Sequence, residues 1–222
     1  VDYFFLTPEP DDQKLANFMF RARVRVTPAT ELEMIGIPVY KPSVYKYSLF
    51  DMGTGTSFKE LILPEPGIKN ATLAVRLNTE LPEAGFSFSW FHGYDPFYGF
   101  TIDSLSLYPS TAIFYRPAVY KKNTIGADFA IPVKTLILRG EMAVNLTQGT
   151  GTKMYIPGSG FAWVAAAEHD FSGFTTVFQY IGKCVFNFKP LTRPVLTNPS
   201  NQLAQMAYAS GLVYYESQLF NR

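Results

Sequence analysis

The chain has 222 residues, 16% of them aromatic (20 Phe and 14 Tyr) and only 17% charged, where a typical soluble domain carries about a quarter. The net charge of +1 gives no electrostatic case for nucleic acid, because phosphate binding needs a concentrated basic face. The single cysteine, Cys184, excludes an internal disulfide and a cysteine-based zinc site, because both need partners.

No run of 18 or more apolar residues occurs, so a transmembrane helix is not expected and a sheet is the only membrane option. Val1 to Leu6 lack the basic flank and small-residue cleavage site of a secretion signal. The expectation is that a leader has been removed or that the chain was cut from something longer.

Along the chain the dominant period is two, in segments of 8 to 12 residues separated by turn chemistry, the pattern of an all-β protein. The first segment puts Phe18, Phe20, Ala22, Val24 and Val26 on one face and Asn17, Arg21, Arg23, Arg25 and Thr27 on the other. After a turn at Thr27-Pro28-Ala29-Thr30, Leu32 and Met34 alternate with Glu31 and Glu33. Matching the faces across this hairpin sets Val24 opposite Met34 and Arg25 opposite Glu33, so that arginines meet carboxylates.

A third strand alternates Leu73, Val75 and Leu77 with Thr72, Arg76 and Asn78, and a fourth alternates Phe86, Phe88 and Trp90 with Ser87 and Ser89. Further strands are expected at Tyr98 to Tyr108, Thr111 to Val119, Ile125 to Pro132, Lys134 to Asn145, Phe161 to His169, Gly173 to Phe186 and Leu203 to Tyr215. The total expected is eleven.

The links alternate in length. Short ones fall at 28 to 30, 80 to 85, 108 to 110, 132 to 134 and 170 to 172, and between them lie 41 to 68, 95 to 97, 120 to 124, 146 to 160 and 187 to 202. Three of the second set are long and rich in Gly, Pro, Ser, Thr and Asn. Transmembrane barrels show such an alternation, with tight periplasmic turns and longer outer loops. Tyr40, Tyr45, Tyr47 and Phe50, then Tyr94, Phe97, Tyr98 and Phe100, gather near strand ends in the manner of an interfacial aromatic girdle.

The stretches LANFMFRARVRV, FSWFHGYDPFYGFTI, IGADFAIPVKTLILRGEMAV and FTTVFQYIGKCVFNF resemble porin-like outer-membrane proteins of Gram-negative bacteria. They are nearest to an uncharacterised barrel family and more distantly similar to alginate-export and phosphate-selective porins. The resemblance runs from about Asp11 onward and rests on the order of Gly126 to Phe129, Leu138 to Glu141 and Gln179 to Gly182. It implies an antiparallel up-and-down transmembrane β-barrel in the outer membrane, a pore or scaffold role, and no catalytic residues. The chain departs from that pattern in its odd strand count and in ending at Phe220-Asn221-Arg222 without a terminal aromatic strand. Both suggest a single barrel domain over 1–222 that lacks further strands.

On this reading Arg21, Arg23, Arg25, Glu31, Glu33, Arg76, Arg139, Glu141, Glu168, Asp170 and Gln179 line the lumen, where charges tune which solutes pass. Phe18, Phe20, Val24, Leu73, Leu77, Phe86, Phe88, Trp90, Leu136, Leu138, Met142 and Trp163 face lipid. Setting Leu138 opposite Ala167 leaves Arg139 diagonal to Glu168 and within salt-bridge reach; a structural ion-pair network filling a narrow barrel would use the same residues.

Catalysis finds little support. The pairs Glu31/Glu33 and Glu168/Asp170 have basic neighbours that neutralise them, which disfavours acid/base hydrolysis of glycosides. His92 and His169 sit in no triad motif and suggest no metal site. Gly53-Thr54-Gly55-Thr56-Ser57 and Gly149-Thr150-Gly151-Thr152 lack the Gly-Lys-Ser/Thr continuation of a phosphate loop.

No cofactor is expected, and the expected partners are outer-membrane lipid and a small polar solute. The expected function is a passive channel. Two alternatives stand beside it: a soluble β-sandwich or barrel binding carbohydrate or lipid, and a barrel scaffold or outer-membrane enzyme. A soluble sheet hides Phe18, Phe20, Leu73, Leu77, Phe86, Trp90, Leu136 and Leu138, whereas a membrane barrel exposes them.

Overall fold

A computed structural model describes residues 3–6, 14–15, 17–45, 56–106, 112–149, 156–171, 173–188 and 192–220. Its main feature is one antiparallel sheet of eight strands, ordered β14-β13-β12-β11-β8-β7-β4-β3. Its members are β3 (Phe20–Thr27), β4 (Thr30–Ile37), β7 (Thr72–Leu81), β8 (Ala84–Tyr94), β11 (Lys121–Val133), β12 (Leu136–Thr147), β13 (Gly160–Phe171) and β14 (Phe174–Val185). The sheet is open, with β3 and β14 each holding one neighbour among the described residues.

The four tight hairpins of this sheet turn at the same edge. The links there are Pro28-Ala29, Pro82-Glu83, Lys134-Thr135 and the short connection between Phe171 and Phe174. Proline presets the backbone for the first inner turn position, and the other two turns use left-handed residues, Lys134 at φ 57° and Gly173 at φ 112°. At the opposite edge the connections run from Ile37 to Thr72, from Tyr94 to Lys121 and from Thr147 to Gly160.

The first hairpin differs from expectation by two residues. Arg25 pairs with Glu31, Val24 with Leu32, Arg23 with Glu33 and Ala22 with Met34. The reason is turn geometry: closing on Pro28-Ala29 sets Thr27 opposite Thr30 with an irregularity at Val26. A shift by two leaves every side chain on its expected face.

Residues 95–97 and 120–124 were expected as loops. They are instead part of one long hairpin, because β9 (Gly99–Ser106) and β10 (Ala112–Ala118) pair with each other and continue β8 and β11 beyond short breaks. A segment of the first long link, β6 (Thr56–Phe58), adds in parallel to the outer side of β10. Elsewhere β1 (Tyr3–Leu6) lies between β2 (Lys14–Leu15) and β5 (Val44–Tyr45).

The strand expected at Leu203 to Tyr215 is a helix, α1 (Gln202–Phe220). Asn201 starts it: its Oδ1 accepts from the backbone N–H of Leu203 at 2.9 Å and of Ala204 at 3.4 Å, an N-cap. Leu203, Ala204, Gln205, Met206 and Ala207 then follow, all strong helix formers. The expected count of eleven strands is therefore replaced by the eight of the sheet and the shorter ones outside it.

Most buried residues among those described gather at or beyond the long-link edge, with Ser87 in mid-sheet an exception. Ile37, Tyr40, Ser43, Thr72, Asp95, Tyr98, Tyr115, Ala118, Tyr120 and Ile156 are all buried. Tyr40 donates its hydroxyl to the carbonyl of Asp95 at 2.8 Å, and the Asp95 N–H donates to the carbonyl of Tyr120 at 3.0 Å. Tyr40 and Tyr98 thus pack inward, and Tyr40 lies 5.2 Å from Tyr94, because the long link folds over the break in the hairpin. That corrects the girdle reading for Tyr40 and Tyr98; Tyr47 and Phe50 lie outside the described residues.

Candidate functional site: the charged face of the sheet

Register decides which side chains share a face, and the pairings join all eight strands consistently. One face carries Phe20 and Val24 (β3), Leu73 and Leu77 (β7), Phe86, Phe88 and Trp90 (β8), Leu136, Leu138 and Met142 (β12), and Trp163 (β13). Phe178 and Tyr180 extend it on β14. Phe18, Phe20, Leu73, Leu77, Phe86, Trp90 and Leu138 are exposed, Phe18 at 63%, and Leu136 is half-buried. Nothing among the described residues packs over this surface.

Two close approaches show how that face is built. The Phe129 ring lies over Gly140, its partner across the strands, and the Trp163 ring lies over Gly182. A methyl group at Gly182 would meet the indole, so glycine lets the ring lie against the strand as it does.

The other face carries Arg21, Arg23, Arg25, Glu31, Glu33, Arg76, Arg139, Glu141, Glu168, Asp170 and Gln179, as expected from alternation. Many are joined. Arg21 grips Glu33 in a two-pronged pair at 2.6 and 2.9 Å. Arg23 reaches Glu31 at 3.0 Å and Glu33 at 3.4 Å. Leu138 pairs with Ala167, and Arg139 reaches diagonally to Glu168 at 3.3 Å, as the sequence predicts.

Among the described residues no carboxylate pairs with Arg25 or cation with Glu141. Asp170 accepts from the Thr175 hydroxyl at 2.6 Å. These side chains are substantially exposed, so in open water each pair would add little to stability.

Sequence reasoning missed the centre of the network. Arg76 donates to Asp128 at 3.2 Å and to the Ser87 hydroxyl at 3.1 Å, and Ser87 also donates to Asp128. The signal was available: Gly126, Asp128 and Ala130 alternate with Ile125, Ala127, Phe129 and Ile131. Lys122 was also missed; it meets Asp95 at 2.5 Å near the long-link edge.

The histidines lie on the apolar face at opposite edges. His92 Nδ1 is 2.7 Å from Asn123 Oδ1, and His169 Nε2 is 3.3 Å from the Thr135 hydroxyl. Among the described residues there is no group of three His, Cys, Asp or Glu side chains fit to hold a metal, and no helix is long and apolar enough to cross a membrane. Cys184 is exposed on the apolar face. Comparison with protein-family models, curated proteins and solved structures matched nothing to this chain.

Proposed function

We propose that this chain forms the wall of a bacterial outer-membrane β-barrel that passes small polar solutes passively. Its charged face lines the water-filled side and tunes selectivity, and no chemical step is carried out. One observation carries the reading. Every Asp, Glu, Lys and Arg within the eight strands lies on a single face, except Lys121 at the long-link edge.

A half-solvated soluble sheet packs its apolar face against a second layer, whereas a barrel wall turns that face to lipid. Two further features support the wall. Tight turns sit on one edge and long links on the other, the arrangement of outer-membrane barrels. Strand length also fits: β12 has 12 residues, which extend about 37 Å, and a tilt of about 40° reduces this to about 28 Å across the bilayer.

Unpaired backbone groups are not tolerated in hydrocarbon. The proposal therefore requires β3 and β14 each to gain a neighbour in the assembled barrel.

The test compares the two faces in the full-length protein. Phe88→Arg places a cation on the apolar face, at a cost of about 2 to 4 kcal/mol near the bilayer centre, and is expected to abolish heat-modifiable gel migration of the membrane fraction. Arg23→Gln is expected to retain that migration and to change the ion selectivity of the pore in planar bilayers. Equal loss in both variants contradicts the face assignment. A folded barrel without conductance points to a scaffold instead.

A further inference from the structure

We propose that the long-link edge of the apolar face binds the phosphate of an anionic membrane lipid between the ammonium groups of Lys121 and Lys69, with the acyl chains lying along the apolar strands. The proposal rests on the barrel-wall reading and adds to it the class of lipid headgroup. Its starting point is the one exception to the separation of faces. Lys121 pairs with Tyr94, two rows beyond the pairing of Ile125 with Trp90, so it stands on the apolar face at the long-link edge.

Geometry sets a second cation beside it. Lys121 Nζ donates to the Lys69 carbonyl at 2.8 Å and lies 4.9 Å from the centre of the Tyr94 ring. Lys69 belongs to a 3-10 helical turn, Ile68–Asn70, which is tied down by its last residue. The Tyr94 hydroxyl donates to Asn70 Oδ1 at 3.1 Å, and Asn70 Nδ2 donates to the Glu65 carbonyl at 3.0 Å. None of these contacts neutralises a lysine. Among the described residues no carboxylate pairs with Lys121 or Lys69, and Lys69 is exposed. An ammonium carries three N–H donors, so Lys121 keeps others after serving the Lys69 carbonyl. Two uncompensated ammonium groups side by side call for an anion, and phosphate oxygens accept charge-assisted hydrogen bonds from both.

The surroundings select a lipid over a free anion. Ile68, next to Lys69, is 96% exposed, and Ile62 and Leu63 of the same link are exposed as well. Apolar side chains presented beside cations suit the boundary between headgroups and hydrocarbon. Height agrees. The four positions from Ile125 to Lys121, at about 3.4 Å each and a tilt of about 40°, raise Lys121 about 10 Å along the membrane normal. The polar layer is about 5 to 7 Å deep on each side of the hydrocarbon, so Lys121 reaches the phosphates while Ile125 stays among acyl chains. His92 and Asn123, 2.7 Å apart, form a neutral polar step between the two.

The test uses purified full-length protein in an uncharged detergent, with retained lipid counted by native mass spectrometry. Phosphatidylglycerol is the probe, and phosphatidylcholine, whose phosphate is neutralised by its own choline, is the comparator. Phosphatidylglycerol is expected to bind at least fivefold more tightly. Lys69→Gln combined with Lys121→Gln is expected to abolish that preference while heat-modifiable migration is retained. Lys134→Gln, the same charge change at the turn edge, is expected to keep it. Should the double variant fail to fold, Lys69→Gln alone, which lies outside the strands, is expected to reduce the preference at least twofold.

Equal binding of the two lipids by the parent, or a preference that survives the lysine changes, overturns the proposal. Inorganic phosphate that displaces phosphatidylglycerol at equal concentration overturns it too, by showing a site for free anions. A heat-modifiable barrel with no headgroup preference sinks the lipid site and leaves the wall standing. A parent without heat-modifiable migration that holds neither lipid sinks both.

Discussion

The two edges of the sheet are held together by different physics. At the turn edge, short links close hairpins through local backbone chemistry: proline at Pro28 and Pro82, and left-handed residues at Lys134 and Gly173. At the long-link edge, cohesion comes from burial, with Tyr40, Tyr98, Tyr115, Tyr120 and Asp95 packed where residues distant in sequence converge. A tight turn needs only its own residues, whereas a folded long link must bury enough surface to offset its ordering entropy.

Asp95→Ala strikes the packed edge hardest. It removes the acceptor for Phe97 N–H and leaves Lys122 without its carboxylate, so a loss of about 2 to 3 kcal/mol is expected. A lowered midpoint for conversion to the fully unfolded gel band reads this. Gly173→Val breaks the comparison from the other side. A β-branched residue at positive φ costs about 2 kcal/mol, and the effect should fall on the β13–β14 hairpin, with hydrogen exchange at the long-link edge unchanged.

How much of this was legible beforehand follows the same division. Faces, turn edge and the Arg139–Glu168 diagonal follow from alternation, because side-chain period in a strand is independent of what packs against it. The register of β3 on β4 did not follow, since it depends on where Pro28-Ala29 closes the chain. Nor did α1: Leu203 to Tyr215 is apolar enough to read as a strand, and the cap at Asn201 was the overlooked signal.

Two smaller effects sharpen the comparison. Tyr40→Phe removes only the hydroxyl that donates to the Asp95 carbonyl, and should cost about 1 kcal/mol at the packed edge. The smallest effect is a pH response in the extension beyond that edge. Asp103 on β9 accepts hydrogen bonds from Lys59 and Arg116, which hold its carboxyl below the ordinary range.

A carboxyl depressed in this way stabilises the fold above its unfolded value, near pH 3.8, and that contribution is lost as pH falls through the lower folded value. Proteolysis of the β9–β10 hairpin should therefore quicken only in that acidic window. Asp103→Asn should remove the dependence.

The amino-acid sequence alone determined an antiparallel sheet with a charged and an apolar face, because a two-residue period survives any register shift of two. Tertiary structure alone decided that Arg76 meets Asp128, 52 positions apart, and that Lys122 meets Asp95 near the long-link edge. Those features depend on which strands become neighbours, and strand adjacency between distant segments is a property of the assembled sheet.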